Sequence, residues 1–265
     1  MMGIDILSRI IEYKKEEVAK LKQTRPEASL SAELGDFTSR RPFIKSLSGR
    51  QTPKLRIIAE IKRASPSKGH MRLDLDAAHF SAAYERGGAA AISVLTESKW
   101  FKGSIKDLTT ARKTSTLPVL RKDFIISSYQ IYESAVIGAD AVLLIARILS
   151  KNQLMEYLDL CDTLKMDALV EIHTMDDLEK IKNTSARLIG INNRNLSSFE
   201  TDVNRSIEMS AGLSDFQIPV ALSGIHARAD IEQTVKAGIY NFLIGESIVR
   251  SNDPEAFIRS LLNKE

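Results

Sequence analysis

The sequence predicts an α/β chain built as a (β/α)8 barrel, preceded by an extra helical segment. Three observations carry that prediction. Eight short apolar runs recur along the 265 residues. They are rich in Val, Ile and Leu and nearly continuous, as parallel strands covered on both faces are. Amphipathic helical patterns separate them, and eight such units in this length make a closed barrel of the TIM type. A doubly wound open sheet is the rival, but it usually has fewer units, and no G-x-G-x-x-G follows the first strand.

The elements follow in order. Ile6, Ile10, Ile11 and Val18 give an amphipathic helix from about 5 to 22. A Pro- and Ser-containing stretch then runs to about 53. This extension either caps the barrel bottom or reaches over the mouth and borders the site; the pattern leaves both open. Strands are predicted at 56–62, 89–96, 118–123, 139–145, 168–173, 188–193, 219–223 and 240–245. Helices are predicted at 75–86, 105–114, 128–137, 151–164, 175–183, 203–211, 227–237 and 254–262. Gly87-Gly88-Ala89, Gly138-Ala139-Asp140 and Ala237-Gly238 close helices and open the next strand. The whole of 1–265 is expected to form one catalytic domain, with the helical extension at about 1–53.

Composition bounds the function. At 43% hydrophobic the chain can fill a large core, and its net charge of +3 is too small to imply nucleic acid. No run of about 18 apolar residues exists, so no membrane span is expected. The N-terminus lacks an apolar signal core, and Glu16 and Glu17 argue against a transit peptide. The lone Cys161 falls in a helical pattern with Leu154, Leu158 and Leu164. It reads as a small core residue, excludes an intrachain disulfide and fits a reducing cytoplasm.

Active sites of such barrels sit at the C-terminal ends of the strands. Glu60 and Lys62 close the first strand, two apart and therefore on one face, with apolar Ile58 behind them. Charges on an apolar inner face are costly unless paired or used. The same parity aligns Lys122 with Leu120, Glu171 with Leu169, and Asn192 with Gly190. Five ionisable or amide side chains from four strands thus converge on one mouth. Arg121 and Asp123 read as outward neighbours in ion pairs, and His173 as a strand cap or loop start. Strands 7 and 8 end in small-residue turns, Ser223-Gly224-Ile225 and Gly245-Glu246-Ser247. In these two loops such turns suit phosphate.

The motifs resemble those of the indole-3-glycerol phosphate synthase family over nearly the whole chain. They are Ala59-Glu60-Ile61-Lys62-Arg63-Ala64-Ser65-Pro66-Ser67-Lys68-Gly69, Leu95-Thr96-Glu97 with Phe101-Lys102-Gly103-Ser104, and Leu120-Arg121-Lys122-Asp123-Phe124. Further on come Leu169-Val170-Glu171-Ile172-His173, Gly190-Ile191-Asn192-Asn193-Arg194-Asn195-Leu196 and Leu243-Ile244-Gly245-Glu246-Ser247. The resemblance implies closure of an indole ring on 1-(2-carboxyphenylamino)-1-deoxyribulose 5-phosphate, with loss of carbon dioxide and water and with no cofactor or metal. It implies Lys122 as general acid and Glu171 as the acid/base of the later dehydration. Lys62 would hold the substrate carboxylate, with Glu60 and Asn192 orienting these groups. Ser65, Arg194, Ser223, Gly224, Gly245 and Ser247 would contact substrate or phosphate. Pro66, Phe101, Phe124 and Leu196 would wall the aromatic ring.

The chemistry suits these residue types. A substrate carrying phosphate and carboxylate matches two lysines and glycine-bearing turns. An unperturbed lysine, with a pKa of about 10.4, is a weak acid at neutral pH. Burial and the neighbouring Lys62 are expected to lower the pKa of Lys122, with Glu60 and Glu171 opposing. The polar 65–69 loop is a candidate lid. One departure stands out: the family usually reads Glu-Ser-Gly where this chain has Leu222-Ser223-Gly224. Catalysis is expected to survive at a changed rate. The expected partner is a small anionic substrate rather than nucleic acid or membrane, and the expected assembly a monomer or weak homodimer. The rivals are another phosphate-binding barrel enzyme, such as a sugar isomerase, and an inert binding protein on the same barrel.

Overall fold

Eight parallel strands close on themselves in the computed structural model, which describes residues 6–35, 40–48, 54–194 and 200–263. They are β1 (Arg56–Ile61), β2 (Ala91–Leu95), β3 (Val119–Lys122), β4 (Ala141–Ile145), β5 (Asp167–Ile172), β6 (Leu188–Asn192), β7 (Ile218–Leu222) and β8 (Asn241–Ile244). Neighbours in sequence are neighbours in the sheet, and β1 pairs with β8 through Ile57 and Phe242 to close the ring. The predicted barrel and its eight strands are therefore present.

The predicted helices between them are also present: α4 (Ala77–Gly87), α5 (Ile105–Thr114), α6 (Ser128–Val136), α7 (Lys151–Thr163), α8 (Met175–Ile181), α9 (Asn204–Ser210), α10 (Arg228–Val235) and α12 (Pro254–Leu262). Short polar residues start many of them. Asp76, Ser104, Ser127 and Asp253 accept from first-turn amides, and Ser150 with Gln153 forms a full capping box. Gly88, Gly138 and Gly238 take left-handed φ of +87°, +82° and +82° after the helices they end.

Side-chain alternation sorts the core into two shells. Ile58, Leu120, Leu143, Leu169, Leu188, Val220 and Leu243 fill the barrel interior. Their odd-even partners, such as Ile57, Ile92, Val170 and Ile189, pack outward under the helices. Cys161 is a buried free thiol in that outer shell. Burial pushes it up to about 12, so it is inert.

The extension serves both ends of the barrel, where the sequence offered a choice between them. Its first helix, α1 (Ile6–Thr24), lies at the mouth. Lys14, 2% exposed, reaches Asp123 just past β3 at 2.9 Å and also pairs with Glu17. Next, α2 (Glu27–Ala32) packs Leu30 with Val18 and Tyr129 of α6. Residues 40–47 then cross to the bottom. Phe43 and Leu47 of α3 (Phe43–Leu47), a helix the sequence pattern did not show, plug the barrel interior. The Ile44 amide donates to Asp167 at the start of β5 (2.8 Å). Arg40 donates to the carbonyls of Ala135, Ala139 and Leu164, and Arg41 to those of Arg112, Ser115 and Leu117. These carbonyls belong to the last turns of α5 and α6 and to the connections that follow α5, α6 and α7.

Two further small elements frame the mouth. A two-residue hairpin pairs Ala64–Ser65 with Gly69–His70 after β1. A short helix, α11 (Glu246–Arg250), begins directly after Gly245 and precedes α12. No described helix is long and apolar enough to cross a membrane.

Candidate active site

Glu60 is the hub of the mouth. It is buried on the inner face of β1, with one oxygen 2.6 Å from Lys62 Nζ and the other 2.9 Å from Lys122 Nζ. Burial alone would raise its pKa. Lys122 and then Lys62 outweigh burial and hold the Glu60 carboxyl down at about 2. Glu60 is thus a fixed anion that spaces two cations.

Lys122 departs from the sequence expectation. Burial pulls its pKa down, but Glu60 and Glu171 pull harder, and the net direction is up. Arg194 opposes them, and Lys62 turns its ammonium onto Glu60. Lys122 therefore holds its proton firmly.

Glu171, at the end of β5, is pushed the other way. Burial raises its pKa above the ordinary carboxylate value, and Lys122 and the Asn192 bond only partly offset this. Asn192 Nδ2 donates to Glu171 Oε1 at 2.9 Å, and Asn192 Oδ1 accepts from the Arg194 amide at 3.0 Å. Two carboxylates in one mouth are thus driven to opposite protonation tendencies, an arrangement that separates a permanent anion from a proton carrier. His173 sits half-buried beyond β5 and bonds the Asn192 carbonyl (3.1 Å), as a loop residue outside the pocket.

One continuous pocket receives these groups. Glu60, Lys62, Ser65, Pro66, Phe101, Lys122, Phe124, Glu171, Asn192, Arg194 and Ser223 all line it. Phe101 and Phe124 stand with ring centroids 6.0 Å apart on one side. Leu196, expected on this wall, lies outside the described residues. An adjoining recess shares Glu60, Lys62, Lys122, Arg194 and Ser223 and adds Gly224, Gly245 and Ser247. Every described residue that the family resemblance assigned to catalysis, substrate or the ring wall therefore borders the pocket or the recess. Arg121 lies outside the pocket, ion-paired with Asp123 and Glu133, whereas Asp123, which also pairs with Lys14, borders it.

Backbone shape explains the small residues of the recess. Ser223 and Gly224 both take left-handed φ, +66° and +78°, which a serine rarely adopts. Asn193 Nδ2 clamps the turn by donating to the Ser223 carbonyl at 3.1 Å. A Cβ on Gly245 would stand 2.5 Å from Glu60 Oε1 and 3.1 Å from Lys62 Nζ, so this glycine makes room for the ion pair.

Sequence reasoning left the place of α1 open and missed Glu246. Ile6, Leu7 and Ile10 bring α1 into the pocket wall. Glu246, at the start of α11, borders both pocket and recess, 3.8 Å from both Lys68 and Arg194 and 3.3 Å from Arg250. Its place beside Gly245 in a quoted motif was the available signal. Leu222 is 1% exposed and packs in the apolar layer beneath the mouth, against Gly190, where any Cβ would meet its Cδ1 at 2.7 Å.

Comparison with known proteins shows the family. The family model described as "Indole-3-glycerol phosphate synthase" matches residues 7–261. A relative of that name from Desulfosudis oleivorans is 54% identical over 261 residues, covering 97% of this chain and 98% of its own. Another, from Syntrophobacter fumaroxidans, is 48% identical and covers 97% of both chains. Among solved structures, 3-hexulose-6-phosphate synthase from Salmonella typhimurium superposes with a TM-score of 0.62 at 11% identity, over 79% of this chain and 97% of its own. Thiamine phosphate pyrophosphorylase from Pyrococcus furiosus gives 0.59 at 14%, over 79% and 94%. These two share the fold alone.

Proposed function

We infer the work of each mouth residue from one premise: this chain belongs to the indole-3-glycerol phosphate synthase family. The reaction is conversion of 1-(2-carboxyphenylamino)-1-deoxyribulose 5-phosphate to indole-3-glycerol phosphate, releasing carbon dioxide and water. In our reading, the aromatic carbon that bears the carboxylate attacks the ketose carbonyl while Lys122 gives its proton to the carbonyl oxygen. Carbon dioxide then leaves and its bonding electrons return to the ring system. Glu171 protonates the departing hydroxyl, and its carboxylate then takes the proton from the new five-membered ring whose loss completes the indole, while solvent reloads Lys122.

The observation that carries this reading is the Lys62–Glu60–Lys122 bridge facing Glu171 across one pocket. It supports a cation for the carboxylate and a proton donor held a fixed distance away. The raised pKa of Lys122 supports a donor loaded before substrate arrives. Positioned acid–base groups commonly contribute ~10²–10⁴-fold. The Phe101–Phe124 side would take the aromatic ring, and Pro66 would close it. The recess of Ser223, Gly224, Gly245 and Ser247 would take the phosphate, with Arg194 lining both it and the main pocket and Ser65 in the main pocket. Loops after strands 7 and 8, and a short helix there, commonly do so. The proposal treats the whole chain as one catalytic unit, because α1 supplies part of the pocket wall. It includes a reducing, cytoplasmic setting, which the buried free thiol of Cys161 supports.

The test follows indole fluorescence as the carboxyphenylamino-deoxyribulose phosphate is turned over by wild type and Lys122→Ala. Wild-type turnover that falls by about 10²–10⁴-fold in the folded variant is expected. Tight substrate binding without turnover in wild type would replace this reading with a binding protein.

A further inference from the structure

Glu97 belongs to a sequence motif that the catalytic reading leaves without a task. It follows β2 and is fully buried. Its carboxylate accepts three consecutive amides of its own loop. Oε1 takes the Lys99 N–H at 2.8 Å, and Oε2 takes those of Trp100 (2.8 Å) and Phe101 (2.9 Å). Its own carbonyl accepts from the Gly103 amide at 2.8 Å. Both ends of the 97–103 loop thus fold back onto one residue. No lysine or arginine pairs with Glu97 among the described residues; backbone dipoles stand in for a countercharge.

The loop faces two ways. Inward, Phe101 lines the pocket against Phe124, and its carbonyl accepts from the Ala64 amide at 3.2 Å, tying the loop to the hairpin after β1. Outward, Trp100 meets Tyr13 of α1 edge-on at 5.4 Å, with Lys99 Nζ 4.4 Å from the Tyr13 ring centre and 4.8 Å from that of Trp100. At the far end, a Cβ on Gly103 would stand 2.1 Å from the Leu95 carbonyl oxygen, so the loop has no slack there. The amide of Phe101 is one of the three that Glu97 holds.

We propose that Glu97 is a positioning residue that acts through Phe101: its buried carboxylate fixes the 97–103 loop so that the Phe101 ring stands as a wall for the substrate's aromatic ring. The inference rests on the reading of Phe101 as that wall. A wall touches the ring in ground state and transition state alike, so its loss removes uniform binding and shows in KM more than in kcat.

The test compares Glu97→Gln, Phe101→Ala and the double variant in steady-state assays with the carboxyphenylamino-deoxyribulose phosphate. Glutamine keeps the shape but turns a donor toward amide donors. Glu97→Gln is expected to raise KM about three- to tenfold, the scale of an aromatic contact, with kcat within about twofold. In the Phe101→Ala background the same change should add nothing. Acrylamide quenching of Trp100, the sole tryptophan, should rise in Glu97→Gln. An unchanged KM in Phe101→Ala overturns the wall itself. A raised KM in Phe101→Ala with none in Glu97→Gln, or equal Glu97→Gln effects in both backgrounds, overturns the role of Glu97 alone. Should Glu97→Gln not fold, Glu97→Asp keeps the anion one methylene shorter and carries the same comparison. A smaller KM rise that disappears with Phe101→Ala is then expected, and a rise of equal size in both backgrounds overturns the proposal.

Discussion

The two ends of this barrel bury charge in different proportions, the bottom mostly on main-chain groups and the mouth on side chains. At the bottom, Arg40 and Arg41 aim their guanidinium groups at main-chain carbonyls, and Asp140 and Asp167 accept main-chain amides, with Arg112 the charged partner of Asp140 at 2.6 Å. At the mouth, charged side chains meet each other: Lys62, Glu60, Lys122 and Glu171 form a chain of opposite signs. A guanidinium on a carbonyl has no proton to give and nowhere to move. An ammonium held against a carboxylate can change partners when a phosphate or carboxylate arrives. The bottom is built to hold, and the mouth to exchange.

The largest expected effect comes from disabling the exchange. Glu60→Gln removes the anion between Lys62 and Lys122, so turnover should fall by about 10²-fold or more. The sign of the pH effect follows from the raised pKa of Lys122, which Glu60 supports. Without Glu60 that pKa falls, and the alkaline limb of the rate profile moves to lower pH. Stability changes in the acid range as well. Glu60 is depressed from 4.5 to about 2, so it contributes stability above about 4.5 that is lost as pH falls toward 2. Acid unfolding curves of wild type and Glu60→Gln should differ in that window. A variant whose alkaline limb stays in place would show that Lys122 does not depend on this bridge.

Leu222→Glu tests the layer between the two ends. Leu222 lies among Leu169, Leu188, Val220 and Leu243, with Gly190 making room for it. A carboxylate there has apolar neighbours, and the substitution should cost about 3 kcal/mol in urea unfolding. The pH–rate profile should also shift, since a new acid would stand in register with Asn192 on the neighbouring strand. Unchanged stability together with an unchanged profile would mean that position 222 has no weight in this chain.

These contrasts also explain what the sequence could convey. The mouth was legible because strand side chains alternate: Lys62, Lys122, Glu60 and Glu171 are polar exceptions on faces that otherwise read Ile58, Leu120 and Leu169. The bottom was not, because Arg40 and Arg41 recognise backbone carbonyls 71 to 124 residues away, and carbonyls carry no sequence signal. The amphipathic pattern of α1 showed that one face is buried without showing against what. The pKa of Lys122 was expected to fall because adjacency to Lys62 could be read and distances could not. In space Lys62 is satisfied by Glu60, and the two carboxylates dominate. Leu196 remains outside the described residues, so its expected wall is not part of the contrast.

Arg41→Ala probes the bottom alone. It removes three donors to the carbonyls of Arg112, Ser115 and Leu117. Net contributions of about 1 kcal/mol for a typical bond, discounted for partial exposure, put the loss near 2 kcal/mol. Thermal unfolding should move down accordingly while kcat/KM at 25 °C stays within about twofold. A fall in kcat/KM without a fall in midpoint would break the division between a holding end and a working end.

Gly245→Ala is the finest probe, because it adds one methyl and no charge. That methyl would stand 2.5 Å from Glu60 Oε1, the oxygen that Lys62 holds at 2.6 Å. The obstacle is the tip of a side chain rather than backbone, so Glu60 can swing aside, and the stability cost should stay within about 1 kcal/mol. Backbone strain adds little, since Gly245 has φ of −122°. The swing, however, lengthens the bridge that spaces Lys62 from Lys122. Activity should therefore fall several-fold, with a shift in the alkaline limb of the same sign as in Glu60→Gln and smaller in size. Alanine at 245 with wild-type kinetics would mean that the bridge tolerates displacement, and that the mouth holds its charges less tightly than its distances imply.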